Sequence, residues 1–328
     1  MQGQMNSLAF RIKHAWQRGR FFDRCKRALI VRCNKLLYTI SPVLLARVRF
    51  RLARGHWPNF EQPRTFDEKL LWLVLFWQDP LKTRCADKLG VRSYAEELGL
   101  GHLLPKLLRV YEQSDAIDFD GLPSAFVLKA THGSGMNIIC RDKNKLNPTV
   151  VRRKLDIWLR TDYSAKQGEV FYRQITPRII CEPLLIDQAG EIPKDYKLYC
   201  FYGVVHCTLV CSGRDPSDDL DSGVMFDFYD RQWSAKLPYS KSGLQADRRI
   251  DKPAAYDEML AAAEKLSRPF PFVRVDFYSV NGRAILGEMT FTPEAGIDPD
   301  NTELAERTLG DLIKLPPKCT TGCASGEF

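Results

Sequence analysis

Four side chains near the end of the chain are of the types that hold a metal ion against phosphate: Arg274, Asp276, Glu288 and Thr290. They lie in residues 272–296, FVRVDFYSVNGRAILGEMTFTPEAG. Mg²⁺ takes hard oxygen ligands, commonly one or two carboxylates completed by phosphate oxygens. Val273, Val275 and Phe277 alternate with Arg274 and Asp276; Ile285, Met289 and Phe291 alternate with Glu288, Thr290 and Thr292. That alternation predicts two strands, each with one packed face. Asn281-Gly282 favours a two-residue hairpin turn. With that turn, however, Asp276 shares a face with Gly287 and Glu288 points away. A three-residue loop, Val280-Asn281-Gly282 with Gly282 at positive φ, instead brings Arg274, Asp276, Glu288 and Thr290 to one face. The competing reading of the four is a cross-strand ion pair on a solvated face.

A second group lies upstream. Residues 126–131, FVLKAT, read as a strand that runs into His132-Gly133-Ser134-Gly135. Backbone N–H groups of a glycine loop after a strand can cradle phosphate oxygens. No Gly-Lys-Ser/Thr follows and the spacing is not GxGxxG, so an ordinary tight turn competes. Lys129 is a long cation inside this apolar strand, well placed for a phosphate.

The elements that must position these groups follow from periodicity. Thr65-Phe66-Asp67-Glu68 resembles a capped helix start, with Glu68 in the capping-box slot. That helix passes Leu70, Leu71, Leu73, Val74 and Trp77 and stops before Pro80. A second helix is predicted over 83–97, ending at Gly99, then a hydrophobic run over 103–110. A helix is predicted over 150–160 and strands over 178–182, from 195 through 201 and over 204–211. A polar loop over 214–223 and a helix over 252–267 precede the final hairpin. Helices, strand–loop, helix, strands, helix and hairpin indicate α+β with antiparallel sheets rather than a doubly wound fold.

The 328 residues allow more than one structural unit. The net charge of +8 conceals an asymmetry: residues 1–60 hold thirteen Lys/Arg against one acid, Asp23, giving +12, so the remainder carries −4. Residues 7–37 read as a helix mixing apolar and basic residues. It either packs on the body or lies on an anionic membrane; nucleic acid is disfavoured because no recognition motif accompanies the charge. The ten cysteines are scattered, with no paired CxxC, and read as free thiols in a reducing cytoplasm. No run has the length of a membrane span, and no signal-peptide core is present.

Over about residues 41–312 the chain resembles the ATP-grasp superfamily, and within it the teichuronopeptide-biosynthesis, TupA-like group. The phrases that carry the resemblance are TFDEKLLWL, CADKLGVRSYAEELGLGHLLPKLL, FVLKATHGSGMNII, PRIICEPLL, KDYKLYCFYGVVH and FPFVRVDFYSVNGRAILGEMTFTP. It implies an ATP-grasp fold with nucleotide between two small antiparallel sheets. The parts would be a basic helical extension (1–60), the N-terminal part of the module (61–125), the nucleotide-binding and catalytic region (126–312) and a tail (313–328). Lys88 and Lys129 then resemble the two ATP lysines, and Gly133, Ser134 and Gly135 the loop over the phosphates. Glu182, Leu184 and Leu185 resemble the hinge beside adenine, and Asp195 the ribose acid. Asp276 and Glu288 resemble the Mg²⁺ carboxylates, with Thr290 where the superfamily usually has Asn. Lys197 and Arg274 resemble the catalytic cations near the substrate. Glu294 stands where Gly is expected after Thr-Pro, which bears on the acceptor pocket.

The resemblance implies an ATP- and Mg²⁺-dependent carboxylate–amine ligase working through an acyl phosphate. It would join an amino acid to an acidic sugar or acidic amino acid of a cell-surface polysaccharide, in the cytoplasm or peripherally at the inner membrane face. Three readings compete. One is a glycosyltransferase using Asp219 and Asp221 as a DxD metal motif. Another is a kinase on the same fold. The third is a catalytically dead scaffold, against which the presence of Lys88, Lys129, Asp276 and Glu288 together argues.

Overall fold

The computed structural model describes residues 29–187, 190–212, 224–242 and 249–318. Asp219 and Asp221 lie outside the described residues, as does the whole of the polar loop expected over 214–223. Helix α1 covers 29–40. Ser41 interrupts it and caps α2 (Pro42–Arg54), its hydroxyl accepting from the Leu44 amide at 3.3 Å. α3 (Phe66–Phe76) opens on the expected capping box. The Glu68 amide donates to the Thr65 hydroxyl, and the Glu68 carboxylate accepts from the Thr65 amide, both at 3.2 Å.

The single helix expected over 83–97 is two. α4 (Pro80–Ala86) and α5 (Gly90–Glu97) are separated by Asp87-Lys88-Leu89. Asp87 leaves the helical region (ψ 122°), and its carboxylate accepts from the Leu89 amide at 3.0 Å. This is the local side-chain bond by which aspartate competes with helix. Gly90 permits the restart: a Cβ there would sit 2.3 Å from the Arg84 carbonyl oxygen. The break turns Lys88 off a helix surface and toward the sheets.

Two antiparallel sheets follow, in keeping with the α+β expectation. β1 (Arg109–Tyr111), β2 (Phe126–Ala130), β3 (Asn137–Cys140) and β4 (Ile179–Pro183) form one, in the order β1-β4-β2-β3. β5 (Asp195–Phe201), β6 (Val204–Ser212), β7 (Met225–Asp230), β8 (Lys236–Leu237), β9 (Val273–Val280) and β10 (Arg283–Thr290) form the other, in the order β10-β9-β5-β6-β7-β8. Each sheet has its own core. α6 (Pro148–Leu159) lies on β2, with Phe126, Leu128, Leu155 and Ile179 fully buried. α8 (Tyr256–Ser267) lies on the larger sheet, whose core includes Tyr256, Met259, Val275 and Phe277.

The β9–β10 hairpin reaches the expected facing by another route. The turn has two residues, not three: Val280 pairs with Arg283, and Asn281 (φ 52°) and Gly282 (φ 76°) both adopt left-handed backbone. A bulge between Leu286 and Glu288 then shifts the register by one, so Asp276 pairs with Glu288 and Arg274 with Thr290. Before the bulge Ala284 and Leu286 are buried, so the inward set is even-numbered there, and Ile285 is not part of it; after it Met289 takes over.

The N-terminal helices are joined to this body. Leu45, Ala46 and Phe50 of α2 are buried. Arg54 pairs with Asp67 of α3, Nε to Oδ2 at 2.8 Å, and with Glu306 of α9 (Glu303–Leu312) at 2.8 Å. It also donates to the Asp298 carbonyl at 2.9 Å. Burial, with the neighbouring Glu306, pushes the Asp67 carboxyl up to about 8 against the pull of Arg54. Among the described residues Cys33 is an exposed free thiol and Cys85, Cys140, Cys181, Cys200, Cys207 and Cys211 are buried free thiols. No described helix is long and apolar enough to cross a membrane.

Two outcomes follow. A Cβ at Gly287 would lie 3.2 Å from both the Asp276 carbonyl oxygen and the Tyr278 ring. Gly287→Val should therefore destabilise the chain by roughly 1–3 kcal/mol in urea unfolding. Asp67 has a folded pKa of about 8 against an ordinary 3.8, so the folded state binds the extra proton between those values. Unfolding free energy should fall as pH rises through that window, and Asp67→Asn should flatten the slope in denaturant titrations across it.

Candidate functional site

The register of the larger sheet assembles the site. Side chains alternate along a strand, so residues two apart share a face. Asp195, Lys197 and Tyr199 of β5 stand opposite Tyr278, Asp276 and Arg274 of β9. Leu209 and Cys211 of β6 continue the rows from Lys197 and Asp195, and Phe228 and Phe226 of β7 continue them again. One row across the face therefore reads Glu288, Asp276, Lys197, Leu209, Phe228. The β10–β9–β5 part is charged and the β6–β7 part is apolar and aromatic. The face floors a cleft of about 780 Å³, and Lys129, Asn137 and Ile139 of the smaller sheet line its other side.

The charged part is tightly paired. Arg274 holds Asp276 through both carboxylate oxygens, at 2.8 and 2.7 Å. Lys197 reaches Asp276 and Asp195, each at 2.7 Å. Burial would lower the Lys197 pKa, but Asp195 and Asp276 outweigh it and hold the ammonium above its ordinary value. The Thr290 hydroxyl accepts from Arg274 at 3.2 Å. Glu288 is the open member, with a third of its side chain exposed and Lys88 at 3.4 Å. Burial alone would raise its carboxyl pKa, yet Lys88, Lys197, Arg274 and Lys129 hold it down at about 2.

Across the cleft, the break before α5 aims Lys88 between the sheets, where it donates to the Gly133 carbonyl at 2.6 Å as well as facing Glu288. Gly133 is buried beneath Tyr163, where a Cβ would fall 2.5 Å from the ring. Ser134 and Gly135 (φ 71°) are exposed on the lip of the cleft. Lys129 pairs with Glu182 at 2.7 Å, and Glu182 also holds Arg92 at 3.1 Å. Lys88, Lys129 and Glu182 line a small recess next to Gly287.

The structure thus brings Lys88, Lys129, Ser134, Gly135, Asp195, Lys197, Arg274, Asp276 and Glu288 into one cleft. Asp195 stands in the charged cluster with Lys197 and Asp276. Leu184 and Leu185, half-buried after β4, line neither the cleft nor the recess. Among the described residues no three His, Cys, Asp or Glu side chains form a metal-holding group. Asp276, Glu288 and the Thr290 hydroxyl instead offer a partial set of hard oxygens on one face. That fits Mg²⁺, which keeps water and phosphate oxygens for the rest of its shell.

Sequence reasoning missed the apolar part of the floor and the acidic far wall, Asp298 and Asp300. The alternation of Phe226 and Phe228 was a usable signal; nothing local marked the two acids. The flagged Glu294 lies at an unusual bend. Glu294 (φ 48°), Ala295 (φ 52°) and Gly296 (φ 80°) are successively left-handed, a conformation that costs a non-glycine residue about 1–2 kcal/mol. Neighbours hold it in place: Arg49 of α2 donates to the Ala295 carbonyl at 3.2 Å, and the Thr292 hydroxyl donates to the buried Glu169. Burial pushes the Glu169 carboxyl up to about 7, against the Thr292 hydrogen bond and Arg49.

The model of the TupA-like ATP-grasp family matches residues 68–314. No curated protein matches the sequence. Among solved structures, D-alanine–D-alanine ligase from Bacillus anthracis complexed with ATP has a TM-score of 0.44 at 15% identity, covering 70% of this chain and 64% of that one. L-amino acid ligase from Bacillus licheniformis has 0.40 at 13% identity, covering 65% and 42%. The ATP-grasp ligase PsnB with its minimal precursor has 0.39 at 12% identity, covering 72% and 62%. The chain spans less than two thirds of the length of each of these three. The family match takes in about three quarters of the chain and every charged residue of the cleft floor. On that match, the chain belongs to the TupA-like ATP-grasp family.

Proposed function

We propose that the protein is an ATP- and Mg²⁺-dependent ligase that activates a carboxylate as an acyl phosphate and joins it to an amine. The observation that carries this reading is the charged row Glu288–Asp276–Lys197 facing Lys88, Lys129 and the glycine loop across one cleft. In this reading Lys88 and Lys129 hold phosphate oxygens, and the exposed loop residues Ser134 and Gly135 close over them. Asp276, Glu288 and Thr290 are the residues that would hold Mg²⁺. When bound there, the metal supplies neutralisation of phosphate charge during transfer. Lys197 and Arg274, held rigid by Asp276 and Asp195, present fixed positive charge where the carboxylate substrate develops oxyanion character. Glu182 orients Lys129. The family resemblance supports a uronic-acid sugar or acidic amino acid as the carboxylate, an amino acid as the amine, and a role in cell-surface polysaccharide synthesis.

Nucleotide protection is the primary test. ATP with Mg²⁺ should raise the thermal midpoint and a UDP-sugar should not; the reverse result points to a glycosyltransferase and ends the ligase reading. Lys129→Ala leaves Glu182 paired with Arg92, so the fold should persist in circular dichroism. Loss of a charged phosphate contact should weaken ATP binding about ten- to a hundredfold in calorimetric titration. Glu288→Gln removes the carboxylate that Lys88, Lys197, Arg274 and Lys129 hold ionised, so the variant should be less stable in urea unfolding yet keep its circular dichroism. Mg²⁺ should then no longer tighten ATP binding to this variant as it does to the parent chain. An unchanged Mg²⁺ effect would remove Glu288 from the metal site.

A further inference from the structure

Residues 29–60 contain six Lys/Arg and no Asp or Glu. The structure divides the six by role. Arg49 and Arg54 turn inward, onto Ala295 and onto Asp67 and Glu306, and are structural. Arg32, Lys35, Arg47 and Arg51 are exposed.

Helix α1 has two unlike faces. Val31, Asn34 and Tyr38, at i, i+3 and i+7, face the body; Tyr38 packs with Leu45 and Ala165, and Asn34 donates to the Lys166 carbonyl at 3.0 Å. Leu29, Cys33, Leu36 and Ile40, at i, i+4, i+7 and i+11, form the opposite stripe. Leu29, Leu36 and Ile40 are 62%, 64% and 66% exposed. Three large aliphatic side chains in register along one open helix face are a patch, unlike single exposed apolar residues, which are ordinary. Arg32 borders the stripe, and Lys35 is exposed further round the helix on the same side.

We propose that this outward face of the N-terminal helices docks on an anionic phospholipid surface. The stripe and the exposed cations of α1 and α2 are the two halves of an interfacial surface: apolar side chains enter the boundary of the acyl region, and cations meet the headgroups. The residues beyond 60 carry net negative charge, so an anionic bilayer attracts this end of the molecule and repels the other. A second copy of the chain fits less well, because a two-fold contact through this face sets like charges against each other. Duplex nucleic acid would use the cations and leave the stripe in water. Arg49 joins α2, which follows this face in the chain, to the Glu294–Gly296 bend at the rim of the cleft.

Flotation of the full chain with vesicles of equal parts phosphatidylcholine and phosphatidylserine tests this without any knowledge of the substrate. The chain should float with these vesicles, float poorly with phosphatidylcholine alone, and be released by high salt. Leu29→Ser/Leu36→Ser/Ile40→Ser should weaken binding at least about tenfold, with the thermal midpoint and ATP binding unchanged. Arg32→Glu/Lys35→Glu should weaken it as well, and serves as the deciding variant if the triple substitution disturbs α1. Failure of the parent chain to float overturns the proposal. So does flotation that the variants leave intact, which would assign binding to another part of the chain. A dimer in sedimentation that the triple variant dissociates, without vesicle binding, assigns the face to a second copy. Retention on duplex DNA without flotation assigns it to nucleic acid. Either of these last two results also overturns the proposal. None of the outcomes bears on the ligase reading, which rests on nucleotide protection.

Discussion

The buried carboxylate of Asp276, held by Arg274 and Lys197, is the constraint on which the rest of the cleft depends. Three charges inside a sheet are tolerable only if they satisfy one another; removal of one leaves an uncompensated charge in a medium that solvates it poorly. The pairing therefore fixes the register of β5 against β9. A slip of one residue would turn Lys197 and Asp276 into the apolar core beneath and bring Val275 and Leu198 to the surface. With that register set, Tyr199, Asp195, Leu209 and Phe228 have no freedom in where they stand. Much of the cleft floor follows from one ion cluster and the period of two.

The cations on the far side are held differently. Lys129 and Lys88 each have a carboxylate partner, Glu182 and Glu288, but each also borders open cleft. A phosphate arriving there exchanges one anionic partner for another, so neither lysine is stranded in either arrangement. The glycine loop is tied into the same arrangement, because Lys88 also binds the Gly133 carbonyl. A shift in that loop and a shift in the Lys88–Glu288 pair are thus mechanically linked across the two sheets. The left-handed bend at Glu294 lies on the other rim, and α2, by way of Arg49, helps to hold it. The N-terminal helices are consequently part of the architecture of the cleft, although their sequence reads as a basic appendage.

Much of this was legible in the chain. The capping box at Thr65–Glu68, the strand before the glycine loop, the alternation in β5, β9 and β10 and the antiparallel α+β class all follow from short-range periodicity and turn chemistry. The sharing of one face by Arg274, Asp276, Glu288 and Thr290 was also correctly anticipated. The reason given for it was wrong: the turn is the two-residue one that Asn281-Gly282 favours, and parity is restored by the bulge at Gly287. A bulge leaves no periodic signature, because the extra residue is recognisable only once a partner strand defines the register.

The division between sequence and tertiary structure has the same physical basis elsewhere. By itself the sequence determined which residues carry charge, which faces are apolar, and that thirteen cations crowd into the first sixty positions. It could not determine which cations point inward. Arg49 and Arg54 are chemically equivalent to Arg47 and Arg51, and only the acids and carbonyls brought alongside from residues 67, 295 and 306 separate structural arginines from exposed ones. Likewise, the break at Asp87–Lys88 that aims Lys88 into the cleft is a local option of aspartate. It is realised beside the smaller sheet, where the Lys88 amide donates to the Thr131 carbonyl at 3.3 Å and its ammonium to the Gly133 carbonyl. Partners distant in the chain decided these points, and the energy of a buried charge depends on what surrounds it in space.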